Sequence, residues 1–266
     1  MSNQTTAVTL KSMLGNDNVK ARFQEILGKK APGFISSILS VANSNTLLQK
    51  ADPKTVMNAA VIAATLDLPI NQNLGFAYIV PFGGQAQFQL GYKGFTQLAM
   101  RSGQYKTINV REVYEGEIVN ENRFTGEYEF GTPTSDKVVG YMSYFRLLNG
   151  FEKYLYMSKE ELEKHGKKYS QTYKRGGGLW MSEFDSMAKK TCLKQLLSKY
   201  GILSIEMQRA QTFDQAVVKN DLIEENVDEA DIEYVDNNHE EARRQAMKEA
   251  MQEAEVVDTE TGEILK

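Results

Sequence analysis

"GFAYIVPFGGQAQFQLGYKGFTQLAMRSG", from Gly75 to Gly103, contains the change of period that decides the fold. Its first half is two short β-like runs joined by Gly83-Gly84, the pattern of a hairpin. Its second half, Tyr92 to Ser102, sets Phe95, Leu98 and Ala99 at helical spacing and stops at Gly103, a position that favours a left-handed backbone. Strand, strand and helix in one stretch point to an α+β chain.

Upstream the pattern is helical. Asp17 or Asn18 is the expected cap of a first helix carrying Phe23, Ile26 and Leu27, with Gly28 as its stop. A second helix is expected from Pro32 to about Gln49, burying Phe34, Ile38, Val41 and Leu48. The third has the clearest start, with Asp52 at the cap and Pro53 at the first helical position. Downstream, "YKTINVREVYE", "EYEFG", "VVGYMSYFRL" and "EKYLYM" read as further strands of a largely antiparallel sheet. Ser158 and Glu161 form a capping box for a helix through "KEELEKHGKKYSQTYK". After "RGGGLW", Ser182 is the expected cap of a helix with Phe184, Met187, Thr191 and Leu196 or Leu197 inward, leaving Lys189, Lys190 and Lys194 off that face.

The glycines of the opening stretch raise a nucleotide-binding question, since Gly91 and Gly94 bracket Tyr92 and Lys93 where a helix begins. A phosphate loop needs its closing Lys-Ser/Thr pair at fixed spacing, and a dinucleotide fingerprint needs a third glycine and a later acid. The chain has neither, so no nucleotide cofactor is expected.

Charge is divided along the chain. Residues 1–220 hold 27 Lys and Arg against 19 Asp and Glu, net +8, whereas residues 221–266 hold 4 against 16, net −12. The body is therefore expected to be one basic domain and the remainder an acidic tail. Residues 221–236 contain eight acids and no base, the composition of a disordered linker, and a short closing helix is expected over 240–255. A basic body admits a polyanionic partner that the whole-chain pI of about 5.5 would argue against.

Catalysis finds little support. The two histidines, His165 and His239, stand far apart and read as solvated surface groups, and Cys192, the only cysteine, reads as a small buried hydrophobe. Glu112, Glu115, Glu117 and Glu121 invite comparison with a two-metal nuclease, but a strand would turn them alternately to opposite faces. They read as a solvated strand edge, so no metal and no catalytic residue is expected. The longest apolar run, "AAVIAATL", is too short for a bilayer, and the amino terminus lacks the order of a secretion signal, so an intracellular protein with no membrane contact is expected. From Lys164 to Lys199, by contrast, nine bases and two acids interleave with Tyr169, Tyr173, Trp180 and Tyr200. Such side chains neutralise phosphates and stack on unpaired bases.

Two long motifs, "GYKGFTQLAMRSGQYKTINVREVYEGE" and "WMSEFDSMAKKTCLKQLLSKYGILS", follow "NAAVIAATLDLPIN" and "AYIVPF" in this order. Together they closely resemble the RecT family of phage single-strand annealing proteins, over roughly Val19 to Gln215. The resemblance implies a protein that binds single-stranded DNA, pairs it with its complement without ATP, and assembles into rings or helical filaments. It also implies a curved β-sheet backed by helices, with DNA and the annealed duplex intermediate in a basic groove. On it, Lys93, Arg101, Lys106 and Arg111 of the first motif, and Lys174, Arg175, Lys189, Lys190 and Lys194 around the second, are the expected phosphate contacts. Gly91 and Gly94 are expected to help Lys93 position the DNA backbone, and Tyr92 and Trp180 to stack on bases. The acidic tail is expected to occupy the groove, to dock a phage exonuclease or host single-strand binding protein, or to act only as a solubilising extension. The competing functions are a nuclease, a coating protein without annealing activity, and a structural phage oligomer.

Overall fold

A computed structural model describes residues 9–234, and it is α+β with every strand pair antiparallel. Helix α1 (Leu10–Gly15) is followed by α2 (Asp17–Leu27), capped by the side chain of Asn16 rather than by Asp17 or Asn18, and stopped at Gly28 with φ 54°. The expected second helix is two. α3 (Ala31–Asn43) ends at Ser44, and Asn45 caps α4 (Thr46–Gln49) by accepting from the amides of Leu47 and Leu48. A competent cap residue one step past a helix end restarts the chain in a new direction.

Helix α5 (Pro53–Thr65) starts as expected, Asp52 accepting from Lys54 N at 3.0 Å. Residues 55–64 are all buried, which small side chains permit by letting neighbours approach on every side. Against it lies the hairpin of β1 (Ala77–Phe82) and β2 (Gln85–Leu90), turned by Gly83 and Gly84 at φ 57° and 78°. The hairpin is fastened to α5 by Thr55, whose hydroxyl accepts from Ala86 N at 2.8 Å.

Helix α6 (Tyr92–Arg101) leaves β2 at once, and its two glycines are packing devices. A Cβ on Gly91 would run into the carbonyl oxygen of Gly75, and one on Gly94 into that of Phe76. Neither glycine has a left-handed backbone, so close approach is what the fold demands of them, whatever they add in holding DNA. Gly91→Ala should lower unfolding stability by about 1–3 kcal/mol, the usual cost of forcing atoms into a packed site. Urea denaturation would show it, and an unchanged midpoint would mean that the 75–76 backbone yields freely.

The remaining strands make separate sheets rather than one. β3 (Tyr105–Tyr114), β6 (Val138–Leu147) and β7 (Glu152–Ser158) pair in the order β3-β6-β7, while β4 (Ile118–Asn122) and β5 (Glu127–Phe130) form their own hairpin. Helix α7 (Lys159–Tyr169) begins with the predicted Ser158/Glu161 capping box and ends at Ser170, which caps α8 (Gln171–Lys174). α9 (Leu179–Ser182) absorbs Ser182 as its last residue. α10 (Phe184–Tyr200) therefore starts after Glu183 without a side-chain cap, not at Ser182 as expected. α11 (Ile205–Phe213) follows.

The principal core joins α5, the β1–β2 hairpin, α6 and one side of α10. A second cluster of Tyr141, Leu162, Trp180, Met187, Ala188 and Cys192 lies against the start of α10. The expectation of disorder from Asp221 onward is corrected as far as Tyr234. β8 (Val217–Val218) pairs with β9 (Ile232–Glu233), and Leu222 and Val227 are buried. The reason is Asn58, buried on α5. Its amide donates to Val218 O at 3.2 Å and Asn220 O at 2.8 Å while its carbonyl accepts from Leu222 N at 3.2 Å. Arg209 adds a two-bond ion pair to Asp228. Three backbone partners for one buried amide outweigh what the acidic composition predicts. The expected helix over 240–255 and His239 lie outside the described residues.

Candidate nucleic-acid interface

The two long motifs meet in space. α6 packs on α10, and Tyr78 of β1 sits close enough to the starts of both helices to feel them. Burial first, then the neighbouring Tyr92 and Glu183, raise its phenol above the ordinary value. Lys93, on the first turn of α6, is exposed and runs its aliphatic stem beside Gly75, where a Cβ would lie 3.4 Å from Lys93 Cδ. Tyr92 is half-buried beside it. On β3, Lys106 and Arg111 are exposed, and so are Lys174 and Arg175 where α8 ends. Among the described residues no carboxylate pairs with any of these five bases at salt-bridge distance.

The other expected contacts are already engaged within the fold. Arg101 donates to Leu66 O at 2.5 Å and Asp67 O at 2.8 Å, holding the carbonyls at the end of α5. Lys189 bridges α10 to the sheet through Glu112 at 2.5 Å. Lys190 is buried, and it and Lys194 each reach Asp214 at 2.8 Å. Asp214 also accepts from Leu90 N at 2.9 Å, so one carboxylate ties α10 to the β2–α6 junction. A buried ammonium bonded to a buried carboxylate cannot meet a phosphate without unfolding its surroundings, which removes Lys190 from the contact set. Trp180 is removed likewise. It is only 6% exposed, its ring 5.7 Å from Tyr173 and 5.7 Å from Phe184, with Gly166 directly against it.

His165 is not the solvated group expected. Its ring lies 4.5 Å from that of Tyr169, and burial, followed by the charges of Lys194 and Lys168, pulls its pKa down to about 4. The four glutamates go to separate partners. Glu112 pairs with Lys189 and Glu115 with Lys137, Glu117 accepts from Tyr114 N at 2.8 Å, and Glu121 accepts from the Tyr128 hydroxyl at 3.0 Å. Among the described residues no three His, Cys, Asp or Glu side chains converge as metal ligands, and no helix is long and apolar enough to cross a membrane.

The sequence reading missed the sheet face turned away from α10. Tyr144 and Tyr154 face each other across β6 and β7 with centroids 4.5 Å apart, and Tyr128 and Phe130 of the β4–β5 hairpin each come within 5.9 Å of Tyr154. Arg111 and Met142 share the register of Tyr156 on the same face. The signal was present in the period-2 placement of Tyr144 with Met142 and of Tyr154 with Tyr156.

An α+β body with exposed bases that are unpaired with any described carboxylate, and with partly open aromatic rings, is suited to a polyanion with exposed bases. The chain belongs to the RecT family, whose sequence signature matches residues 32–233. This is a family of single-strand annealing recombination proteins. The chain is similar to the uncharacterized protein YqaK of Bacillus subtilis (strain 168), with 47% identity over 260 residues that cover 96% of this chain and 88% of that protein. It is also similar to Protein RecT of Escherichia coli (strain K12), with 29% identity over 181 residues covering 63% of this chain and 65% of that one.

Proposed function

We propose that the protein binds single-stranded DNA through Lys93, Lys106, Arg111, Lys174 and Arg175 and anneals it to a complementary strand without ATP, working as a ring or helical filament. The observation that carries this is the set of five exposed bases, three in the first family motif and two just ahead of the second, uncommitted to any carboxylate of the described chain. Phosphate contacts hold a strand without reading it, so base edges stay open to an incoming complement and pairing supplies the specificity. Tyr92 is the stacking candidate that remains from the motifs, and Tyr144 and Tyr154 join it. The acidic tail is the element proposed to dock an exonuclease or a host single-strand binding protein.

Two labelled complementary oligonucleotides, mixed with the protein in the absence of ATP, should anneal faster than without protein, and a non-complementary pair should not. Binding without acceleration would reduce the function to strand coating. Loss of label with magnesium would point to a nuclease.

A further inference from the structure

The β4–β5 hairpin carries an aromatic side chain into solvent. Phe124, in its turn, is fully exposed, and Val119 on the same hairpin is two-thirds exposed. The turn holding Phe124 is built rather than loose. Asn122 Oδ1 accepts from Phe124 N at 3.1 Å, Gly126 adopts φ 72°, and Lys153 Nζ donates to Thr125 O at 3.0 Å. A phenyl group presented by a fixed turn has already lost most of the freedom that binding would cost it.

A receiving surface exists at the amino-terminal bundle. Between α2 and α3 lies a groove of about 510 Å³, lined by Ala21, Ala31, Pro32 and Ile35 with the stems of Lys20 and Gln24 at its margin. Alanine at two of these positions leaves room for a ring, and the lining is mostly apolar. The charges also match. Residues 117–131, the hairpin, hold four acids and one base, whereas residues 17–32 hold four bases and two acids and stay net positive although Lys20, Arg22 and Lys30 are paired with Asp17, Glu25 and Asp67.

We propose that the hairpin of one protomer docks in the α2–α3 groove of a second copy, with Phe124 filling the groove and the net-negative hairpin facing the net-positive segment that holds Lys29. Such a contact joins two different surfaces, so each protomer offers one of each and the contact repeats. Repetition gives a closed ring or an open helix, depending on the rotation per step. The inference rests on the assembling protein proposed above and adds the contact that builds the assembly.

Phe124→Glu and Ala21→Glu both alter exposed positions, and circular dichroism would verify that each variant is folded. Sedimentation velocity on the full chain, with and without oligo-dT, should show large species for the unaltered protein and monomer for either variant. An equimolar mixture of the two variants should double the mean mass and go no further, because one supplies an intact groove and the other an intact hairpin. Unaltered protein that is monomeric under both conditions, and stays so after removal of the residues beyond Tyr234, would overturn the assembling reading and this proposal together. Large species that persist in both variants would overturn only the proposal. Disassembly by Phe124→Glu alone would place the hairpin on some other surface. A monomer that assembles only after removal of the residues beyond Tyr234 would put this chain's own tail in the groove. Either of these last two results also overturns the proposal.

Discussion

Asp214→Asn is expected to destabilise the fold by about 3–5 kcal/mol, the range seen when one member of a buried ion pair is removed and its partner is left charged. Asp214 has no exposed side-chain surface and neutralises two ammonium groups, one of them on the buried Lys190. It also satisfies the amide of Leu90. Asparagine keeps the shape and loses the charge, so the cost is electrostatic and not that of a cavity. Lys190→Met should cost less, because Lys194 remains to pair with the carboxylate and the stem is replaced by a chain of similar volume. Urea denaturation of the three proteins would rank them, and equal midpoints would show that the three-way pair contributes nothing. Acid should act in the same direction. Burial alone raises the Asp214 carboxyl, but Lys190 and Lys194 more than offset it and hold it at about 2, below its ordinary 3.8. The unfolded chain therefore takes up this proton first as pH falls. The stabilisation is complete above the ordinary value and is lost as pH drops toward 2, and Asp214→Asn should lack that part of the acid dependence. Neutralising Lys189, Lys190 and Lys194 together should accordingly register first as lost stability, not as lost DNA contacts.

What the sequence made legible was local. The Asp52-Pro53 start of α5, the Gly83-Gly84 turn, the stop at Gly103 and the Ser158/Glu161 box each depend on residues within a few positions of one another, and each was read correctly. What failed depended on partners far along the chain. Lys190 and Lys93 look alike in sequence, and only the arrival of Asp214, 24 residues away, makes one structural. α10 defeats a one-face reading because two cores claim it. Met187, Ala188 and Cys192 face one and Leu193, Leu196 and Leu197 the other, so its apolar residues surround the axis. The acidic stretch after Asp221 reads as disordered by composition, yet Asn58, more than 160 residues earlier, supplies the bonds that order it. Gly91 and Gly94 suggested a phosphate loop because spacing does not show what a glycine packs against. Of the candidate site, the exposed bases were found and the committed ones could not be told from them.

That division makes the second large effect specific. Alanine at Lys93, Lys106, Arg111, Lys174 and Arg175 together should lower affinity for single-stranded DNA by roughly three orders of magnitude at about 0.1 M salt, taking a slope of about 0.7 per phosphate contact. The plot of log affinity against log salt should flatten by about 3.5 over the same five contacts. Fluorescence anisotropy across a salt series would measure both, and an unchanged slope would place the strand on another surface. The loss should be equal for all sequences, because groups that meet phosphates carry no base information. Fold stability should hardly change, since these side chains lie at the surface and none forms an ion pair with a described carboxylate, so weaker binding could not be attributed to unfolding. Arg101→Ala tests the same division from the other side. Its guanidinium holds the carbonyls of Leu66 and Asp67, so its loss should reduce stability and leave the salt slope almost unchanged. Basic side chains that hold strands without reading them leave recognition to pairing. The five-alanine protein, once saturated at low salt, should therefore still distinguish complementary from non-complementary strands.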